Sequence, residues 1–598
     1  MHLDIADYAV IVGFFALNLA IGVYYARRGT GTLADYFISG RGVPWWLAGI
    51  SMVATTFAAD TPLVVTGFVA QHGIAGNWLW WSSVMSGILT VVFFARLWRR
   101  SGVLTDVEFI ELRYGGRSAA ALRLVRGVFQ GVLVNTIIMG WVNLAMAKIL
   151  ELTLDVPRFA AMAVCLILTG IYVMIGGLWG VLVTDVLQFA VKMTMAIVLA
   201  AVAVAAAGGM GSLEHHLALL DAQRGGGSIL SFFPTGDQSW LPALSFLTYI
   251  AVQWWASSYP GAEPGGGGYV AQRIFSARSE RDSTLATLFF NVAHYALRPW
   301  PWILVALAAL VLYPHGVHGH DGKPDPELGY VQAMIDYLPP WLRGLMMAGF
   351  LAAFMSTIGT HLNLGASYLT NDLYRRFLVR DADEKHYLGA SRIATLIVMG
   401  LSVCGAFALH SVGDGWKYLF NLTAGVGPVM ILRWYWWRVN AWSEISALAA
   451  SAIVSNTLIL TNIIPSSDPN AQAKMLLVTV TLTSIVWLTT TMLTRPESPA
   501  TLEHFYLRVR PQRWGWRRVA VDVDDTTTSE SFGLQIIDWI AGCGLVYGTL
   551  FGIGKIVLGS MLEGMGYLVF ACICAAIIIP HLLAQTSPEP ISSPSSNS

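Results

Sequence analysis

Apolar stretches long enough to cross a lipid bilayer follow one another along almost the whole chain. A crossing helix needs about 20 mainly apolar residues, and runs of that length alternate here with shorter polar segments. The pattern predicts fifteen helices, at 4–26, 45–71, 76–98, 121–149, 157–177, 180–207, 240–259, 283–313, 340–374, 388–409, 414–436, 441–463, 473–493, 537–559 and 563–584. We therefore predict an all-α polytopic membrane protein with about 15 transmembrane helices.

The ninth predicted helix carries a polar stripe on an otherwise apolar surface. Its members recur at helical spacing within 344–376, and they are Ala353, Ser356, Thr357, Thr360, Asn363 and Ser367. In hydrocarbon such groups need a partner in protein or water, and two adjacent hydroxyls offer a hard cation the oxygen ligands it prefers. The alternative is that the hydroxyls bond to their own helix or to a neighbouring one.

The second predicted helix should be broken at its centre. Trp45 and Trp46 suit an interfacial anchor, and Pro62 removes a backbone donor and frees a carbonyl near Ala58. Asp60 lies close to the bilayer centre, where a carboxylate costs about 2.5–3.5 kcal/mol, so the default hypothesis is a functional site. The alternative is a structural acceptor for a neighbouring helix.

The seventh predicted helix is the second interrupted candidate. Its polar, aromatic and proline residues are Gln253, Trp254, Trp255, Ser257, Ser258 and Pro260. The second and seventh helices each begin a set of five, and breaks at corresponding positions indicate two inverted repeats with a binding site at the midplane.

This reading divides the chain into segments. They are an extra helix and loop at 1–44, a first five-helix repeat at 45–207, an external loop at 208–239, a second five-helix repeat at 240–436, two peripheral helices at 437–494, a cytoplasmic loop at 495–536, two C-terminal helices at 537–584 and a Pro/Ser-rich disordered tail at 585–598. The Gly-rich stretch 261–270 has no P-loop Lys-Ser/Thr, so we expect a flexible cytoplasmic turn there.

Basic residues alternate between loops and predict the orientation. Lys and Arg gather after the first, third, seventh, ninth and thirteenth helices, whereas loops 208–239 and 314–339 contain only Arg224 and Lys323. Because cytoplasmic loops collect these residues, we expect an external N-terminus and a cytoplasmic C-terminus in a bacterial-type inner membrane.

Composition supports a membrane protein and excludes one class of partner. The chain of 598 residues is 55% hydrophobic and 12% charged, with a net charge of zero, so no nucleic acid partner is expected. The five cysteines lie in apolar runs without metal or disulfide spacing. The lipid bilayer and a small solute are the expected partners, and no signal for an oligomeric state is present.

Four motifs together resemble the sodium:solute symporter family. They are SGRGVPWWLAGISMVATTFAAD at the second helix, IGGLWGVLVTDVLQF at 175–189, YVAQRIFSARS at 269–279 and GFLAAFMSTIGTHLN at 349–363. The resemblance runs from about residue 5 to residue 440. It implies a LeuT-like core of two inverted five-helix repeats around a central substrate site, with additional peripheral helices.

The resemblance also implies ion ligands. The shared sodium ion would bind to the carbonyls of Ala54, Phe57 and Ala353 and to the hydroxyls of Ser356 and Thr357. A second sodium site would use Asp185 and Thr360. Gly359 stands where sodium-binding members have another hydroxyl, which leaves that second site short of one ligand.

The substrate positions depart further from sugar-transporting relatives. Thr61 and Trp80 stand at polar ligand positions, and His294 replaces a lysine, with Arg298 one turn beyond it. The candidate substrate residues are Asp60, Thr61, Trp80, Trp254, Trp255, His294 and Arg298. Asp60 with Arg298 suits a zwitterion or an acid, and the tryptophans suit a sugar ring; the alternative is that Arg298 lies at the membrane interface and the tryptophans fill space.

The expected function is sodium-coupled import of a small polar organic solute by alternating access. A proton-coupled symporter of the same fold is an alternative, because Asp60, Asp185 and His294 can all titrate. A solute-sensing membrane receptor is the alternative from another class. No metal-spaced His/Cys set or nucleophile elbow occurs in the sequence, so we do not expect an enzyme.

Overall fold

The computed structural model of the protein describes residues 3–26, 33–225, 227–234, 241–319, 322–519 and 531–584. Within these ranges the chain is helical, without a β-strand, and isolated bridges such as Val43 with Ala277 are the extended pairings. Besides the short helices Leu33–Ile38 and Phe109–Arg113, the helices are α1 Ile5–Ala26, α2 Trp45–Thr56, α3 Asp60–His72, α4 Ile74–Ser101, α5 Gly116–Leu154, α6 Arg158–Ala206, α7 Met210–Arg224, α8 243–256, α9 Gly268–Ser276, α10 Glu280–Leu312, α11 Gly329–Tyr337, α12 Pro340–Leu378, α13 Glu384–Ala408, α14 Val412–Leu422, α15 Gly427–Tyr435, α16 Ala441–Thr461, α17 Ala471–Leu493, α18 Pro499–Val509, α19 Phe532–Val557 and α20 Met561–Ala584. The predicted all-α class is confirmed.

The helix count differs in detail from the predicted fifteen. In the described ranges, ten helices are long and apolar enough to cross a membrane, and the bent pair α2–α3 makes eleven. Helix α1, helix α8 and the interrupted pair α14–α15 cover three further predicted spans. The remaining difference is in α6, which covers two predicted spans.

Helix α6 is one continuous element where the sequence pattern predicts two. The spans predicted at 157–177 and 180–207 are joined in a single helix of 49 residues, Arg158–Ala206. No proline follows Pro157 in this stretch, and glycine alone weakens a helix without ending it. Counted as one crossing, α6 would put both termini on the same side of the membrane, so the predicted orientation, with the termini on opposite sides, requires the chain to cross twice between Arg158 and Ala206.

The core of the molecule surrounds the broken pair α2–α3. Helix α12 packs along α6, and α1 packs against both. Helix α10 contacts α2 with its first half and α3 with its second half. Helices α16 with α17, and α19 with α20, form two hairpins. Each half of the broken helix therefore has helical neighbours along its length.

The Gly-rich stretch is the second break in the core, so the expectation of a flexible cytoplasmic turn is wrong. Residues between α8 and α9 are largely buried, and the Trp98 indole donates to the Gly265 carbonyl at 2.9 Å. Gly265 has a φ of +79° and Gly266 of +74°, and a Cβ on Gly265 would lie 2.6 Å from the Met430 carbonyl oxygen. Glycine is needed here because the backbone reverses against another helix.

Two predicted loops contain helices. Helix α7 lies in the segment 208–239 and ends at Gly225, whose φ is +69°. In the segment 495–536, α18 packs onto the bundle through Phe505, which is fully buried and stacks on Trp516. The predicted disordered tail, 585–598, lies outside the described residues.

Candidate functional site

The break between α2 and α3 exposes backbone carbonyls in the protein interior. The two helices meet at an angle of 56°, and Phe57 leaves helical geometry with a ψ of 65°. Carbonyls at such a break lose their usual helical donors and need other partners. The predicted break is confirmed, and three other helices supply the donors.

Each of these donors comes from a different helix. The hydrogen bonds are Arg298 Nη1 of α10 to Val53 O at 3.2 Å, Lys192 Nζ of α6 to Ala54 O at 2.8 Å and to Phe57 O at 3.1 Å, and Thr357 Oγ1 of α12 to Thr55 O at 2.7 Å. All three side chains are almost completely buried. Two cationic groups and one hydroxyl therefore donate to carbonyls at the break, and of these carbonyls Val53 O also keeps its helical hydrogen bond from Phe57 N at 3.0 Å.

The residues predicted as ligands of the shared sodium ion lie together between α2, α6 and α12. Thr357 also donates to its own helix at the Ala353 carbonyl, at 3.1 Å. Ser356 donates instead to Asp185 Oδ1 at 2.5 Å. The carbonyls of Ala54 and Phe57 both accept from the Lys192 ammonium. Two of the predicted sodium ligands are therefore bonded to a cationic side chain of the protein itself.

Lys192 is the main residue of this site that the sequence reading missed. It lies in the apolar run of α6, seven residues after Asp185 and therefore two helical turns along the same face. The argument that singled out Asp60, a charged residue inside a membrane helix, applies equally to this lysine. A charged residue in an apolar run was therefore the sequence signal that could have identified Lys192.

A second cationic side chain lies where the second sodium site is predicted. Arg273 of α9 donates through Nη2 to Thr360 at 2.8 Å and to Ser51 at 3.2 Å. Asp185 Oδ2 accepts from Ser51 at 2.6 Å, so Asp185 and Thr360 belong to one buried network. The Thr55 hydroxyl, 3.2 Å from that of Thr360, links this network to α2.

A cavity lies beside these polar groups at both breaks of the core. Asp60 and Thr61 line it from the first break. The other lining residues are Thr55, Thr56, Ala58, Ile138, Trp141, Val142, Tyr259, Pro260, Tyr269, Thr357, His361 and Trp416. Four aromatic rings and a few polar groups are a typical lining for a small organic ligand. In this conformation the cavity has a volume of about 30 Å³, so the surrounding helices must move apart to admit one.

Asp60 is only partly satisfied within the described residues. Its Oδ2 accepts from the Trp416 indole at 3.2 Å, whereas its Oδ1 is buried and has no hydrogen-bond partner in the described ranges. A buried charged oxygen without a donor is costly, so an arriving donor would be strongly favoured at this atom.

His294, Arg298 and Trp80 form a buried layer behind the cavity. The His294 ring stacks on Phe290 at 5.1 Å between centroids and lies 5.7 Å from Trp80. Arg298 is fully buried, 5.1 Å from the Trp302 ring, so its side chain faces the protein interior. In the described ranges both ring nitrogens of His294 are without a partner, as are Nε and Nη2 of Arg298.

Trp254 and Trp255 point away from the cavity. Trp254 stacks on Trp539 of α19 at 5.4 Å between centroids. Trp255 donates to the Ala251 carbonyl at 2.7 Å and packs near Ala424. The aromatic rings that line the cavity are other ones, among them Tyr259 and Tyr269 at the second break. The position of Tyr259 next to Pro260 was an available signal.

Three comparisons with known proteins bear on this site. The model of the sodium:solute symporter family matches residues 36–453. Sodium/glucose cotransporter 1 of Oryctolagus cuniculus is 25% identical over 477 residues, which cover 73% of this chain and 69% of that protein. The sodium/glucose cotransporter of Vibrio parahaemolyticus is 23% identical over 471 residues, which cover 75% of this chain and 84% of that protein.

A solved structure has the same arrangement of helices. It is a substrate-bound, outward-open Na⁺-coupled sialic acid symporter, with a TM-score of 0.65 and 20% sequence identity. The match covers 83% of this chain and 99% of that chain. The likeness shows a shared fold, and it confirms the predicted LeuT-like arrangement of helices.

Proposed function

Because the chain belongs to the sodium:solute symporter family, we propose that it is a secondary active symporter that imports a small polar organic solute together with sodium. The observation that carries this proposal is the aromatic cavity at the two helix breaks, where Asp60 Oδ1 at the wall has no partner among the residues that the structure describes. Helix breaks at the midplane are where inverted-repeat transporters bind their solutes and ions. The proposed activity moves the solute and does not convert it chemically.

The cavity suits a solute with both an apolar face and a hydrogen-bond donor. Trp141 and Trp416 offer flat surfaces to a ring or a carbon chain, and Asp60 Oδ1 offers an acceptor. An ammonium group or a hydroxyl group would satisfy that oxygen. We therefore propose an amino acid, an acid bearing a donor, or a sugar as the solute class.

Sodium entry can supply the energy for uptake. One charge that crosses a membrane potential of 100 mV releases about 2.3 kcal/mol. Coupling requires that ion and solute favour the same conformation, since each can shift the equilibrium only by its difference in affinity. Thr357 of α12 donates to the Thr55 carbonyl of broken α2, and Ser356 beside it donates to Asp185 of α6, so an ion held there would join α12 to α2 as the cavity closes.

A ligand screen followed by transport tests this proposal. Purified protein is heated with sugars, amino acids or carboxylates in NaCl or KCl, and a solute that binds raises the Tm by mass action. The solute found is then added outside liposomes that contain the purified protein, and its uptake is measured with an inward sodium gradient. Sodium-driven accumulation is expected. If no gradient of sodium drives accumulation of a solute that binds, the proposed coupling is wrong.

Replacing Ser356 or Thr357 with alanine should weaken the response to sodium. Loss of one oxygen partner removes about 0.5–1.5 kcal/mol, so we expect a rise of about two- to twelvefold in the sodium concentration for half-maximal uptake. Ser402→Ala, which removes a buried hydroxyl on α13, is the matched control and should leave that concentration unchanged. An unaltered sodium dependence in both α12 variants would exclude these ligands.

We also propose the orientation expected from the basic loops, with an external N-terminus and a cytoplasmic C-terminus in a bacterial-type inner membrane. Its test uses a variant without the five native cysteines, into which Ser228→Cys or Glu503→Cys is introduced; both positions are exposed. An impermeant maleimide added to intact cells should label Cys at position 228 and not at 503. The reverse labelling pattern would invert the topology.

A further inference from the structure

The Lys192 ammonium occupies the place where the family resemblance puts a sodium ion. It donates to Ala54 O at 2.8 Å and to Phe57 O at 3.1 Å, and these are two of the five predicted ligands. The Lys192 side chain is buried, with 3% of the residue exposed. Ammonium and sodium carry the same charge, and both are stabilised by carbonyl oxygens.

The surroundings of the ammonium match those of a bound cation. The Phe57 ring lies 5.3 Å from Nζ, a distance at which the ring face attracts a positive charge. The nearby carboxylate, Asp185, is held by the hydroxyls of Ser51 and Ser356. The ammonium therefore bonds to the backbone carbonyls at the break, and a sodium ion would need the same lone pairs.

Lys192 also joins two parts of the core. Its side chain extends from α6 to the end of α2, and its two acceptors lie on either side of the last turn of that helix. A sodium ion shared between broken α2 and α12 would serve a similar role. The lysine thus provides the break with a cation without any ion from solution.

We propose that the Lys192 ammonium is a tethered competitor for sodium, and that sodium reaches the carbonyls of Ala54 and Phe57 only when Lys192 moves away. This inference rests on the proposed sodium-coupled symport. It identifies Lys192 as a side chain that regulates sodium binding at the proposed ion site. Because a tethered group competes at a high effective concentration, the apparent sodium affinity of the protein is lowered by its own side chain.

The test compares sodium binding in the parent protein and in Lys192→Met. Purified protein is titrated with NaCl at constant ionic strength and constant pH, with KCl as the balancing salt, and the sodium-specific rise in Tm is recorded. Lys192→Met is expected to reduce the half-saturating sodium concentration at least about tenfold, which corresponds to about 1.4 kcal/mol. A half-saturating concentration equal to or above that of the parent would overturn the proposal.

Two variants separate competition from a general effect of removing a buried charge. Lys192→Arg keeps a cation at the carbonyls and should bind sodium no more tightly than the parent. Lys148→Met removes another buried ammonium, which is bonded to Asp325 and Glu327 at 2.7 Å each, and should show no gain in sodium affinity. A gain of similar size in Lys148→Met would contradict a specific role for Lys192.

Folding of the variant gives a second readout. Lys192→Met leaves two carbonyls without their donor, so its yield as a monodisperse protein should be higher in NaCl than in KCl. Equal yields in the two salts, together with an unchanged sodium titration, would overturn the proposal. Failure of the symport proposal is distinct, because it would appear as absent sodium-driven uptake in liposomes whatever the result of the binding titration.

Discussion

Asp60→Asn is expected to reduce solute uptake about 10- to 100-fold, because a hydrogen bond to a charged group contributes about 1.5–3 kcal/mol. The carboxylate lines the cavity, and its Oδ1 is the acceptor that the described residues leave free. Asparagine keeps the size of the side chain and removes the charge. Uptake of the solute identified by the thermal screen is measured in liposomes with an inward sodium gradient.

The control for this variant is Asp414→Asn. Asp414 is exposed at the start of α14, so its charge is solvated and its replacement should leave uptake unchanged. The Tm of both variants without solute shows whether the fold is intact. If the solute raises the Tm of Asp60→Asn as much as that of the parent, Asp60 is not a substrate ligand.

Asp372→Ala is expected to lower the free energy of unfolding by about 3–5 kcal/mol, the effect typical of removing one partner from a buried ion pair. Asp372 is fully buried near the end of α12 and accepts from Arg123 Nη2 at 2.6 Å and from Thr105 at 2.7 Å. Its loss would leave the Arg123 charge with one carboxylate partner within the described residues, Glu111. Denaturant titration of the protein in detergent, followed by tryptophan fluorescence, measures the change.

A more exposed ion pair provides the comparison. Arg100 and Glu280 are 2.8 Å apart, and both side chains are 30% exposed. Because solvated pairs contribute about 0–1 kcal/mol, Glu280→Ala should change the free energy of unfolding by no more than that amount. Equal effects of Asp372→Ala and Glu280→Ala would show that burial does not decide the strength of these pairs.

Local pattern was sufficient to predict the helices and the first break. The apolar runs set the positions of nearly all the membrane-spanning helices, because each run must hide its backbone polar groups within a helix in hydrocarbon. Pro62 marked the break at Phe57, since proline cannot continue the hydrogen-bond pattern of a helix. The spacing of Ser356, Thr357 and Thr360 placed their hydroxyls on one face of α12.

Some of the sequence predictions failed where the local sequence of a segment is compatible with two different structures. The Gly-rich stretch was expected to be a flexible turn because glycine favours turns in general. In the structure the same freedom lets the backbone reverse in the core, against Trp98 and Met430. Likewise, an apolar run of the length of α6 is compatible with one helix or with two, and hydropathy alone does not mark where it ends.

The sequence by itself determined the class of the protein, its broken helix and the polar face of α12, because these follow from periodicity and from proline chemistry within single segments. Only the tertiary structure decided which partners these groups meet. Lys192 reaches the carbonyls of Ala54 and Phe57 from α6, and Trp416 reaches Asp60 from α14. Such contacts depend on how the helices rotate and pack against one another, and residues far apart in sequence become neighbours only when that packing is complete.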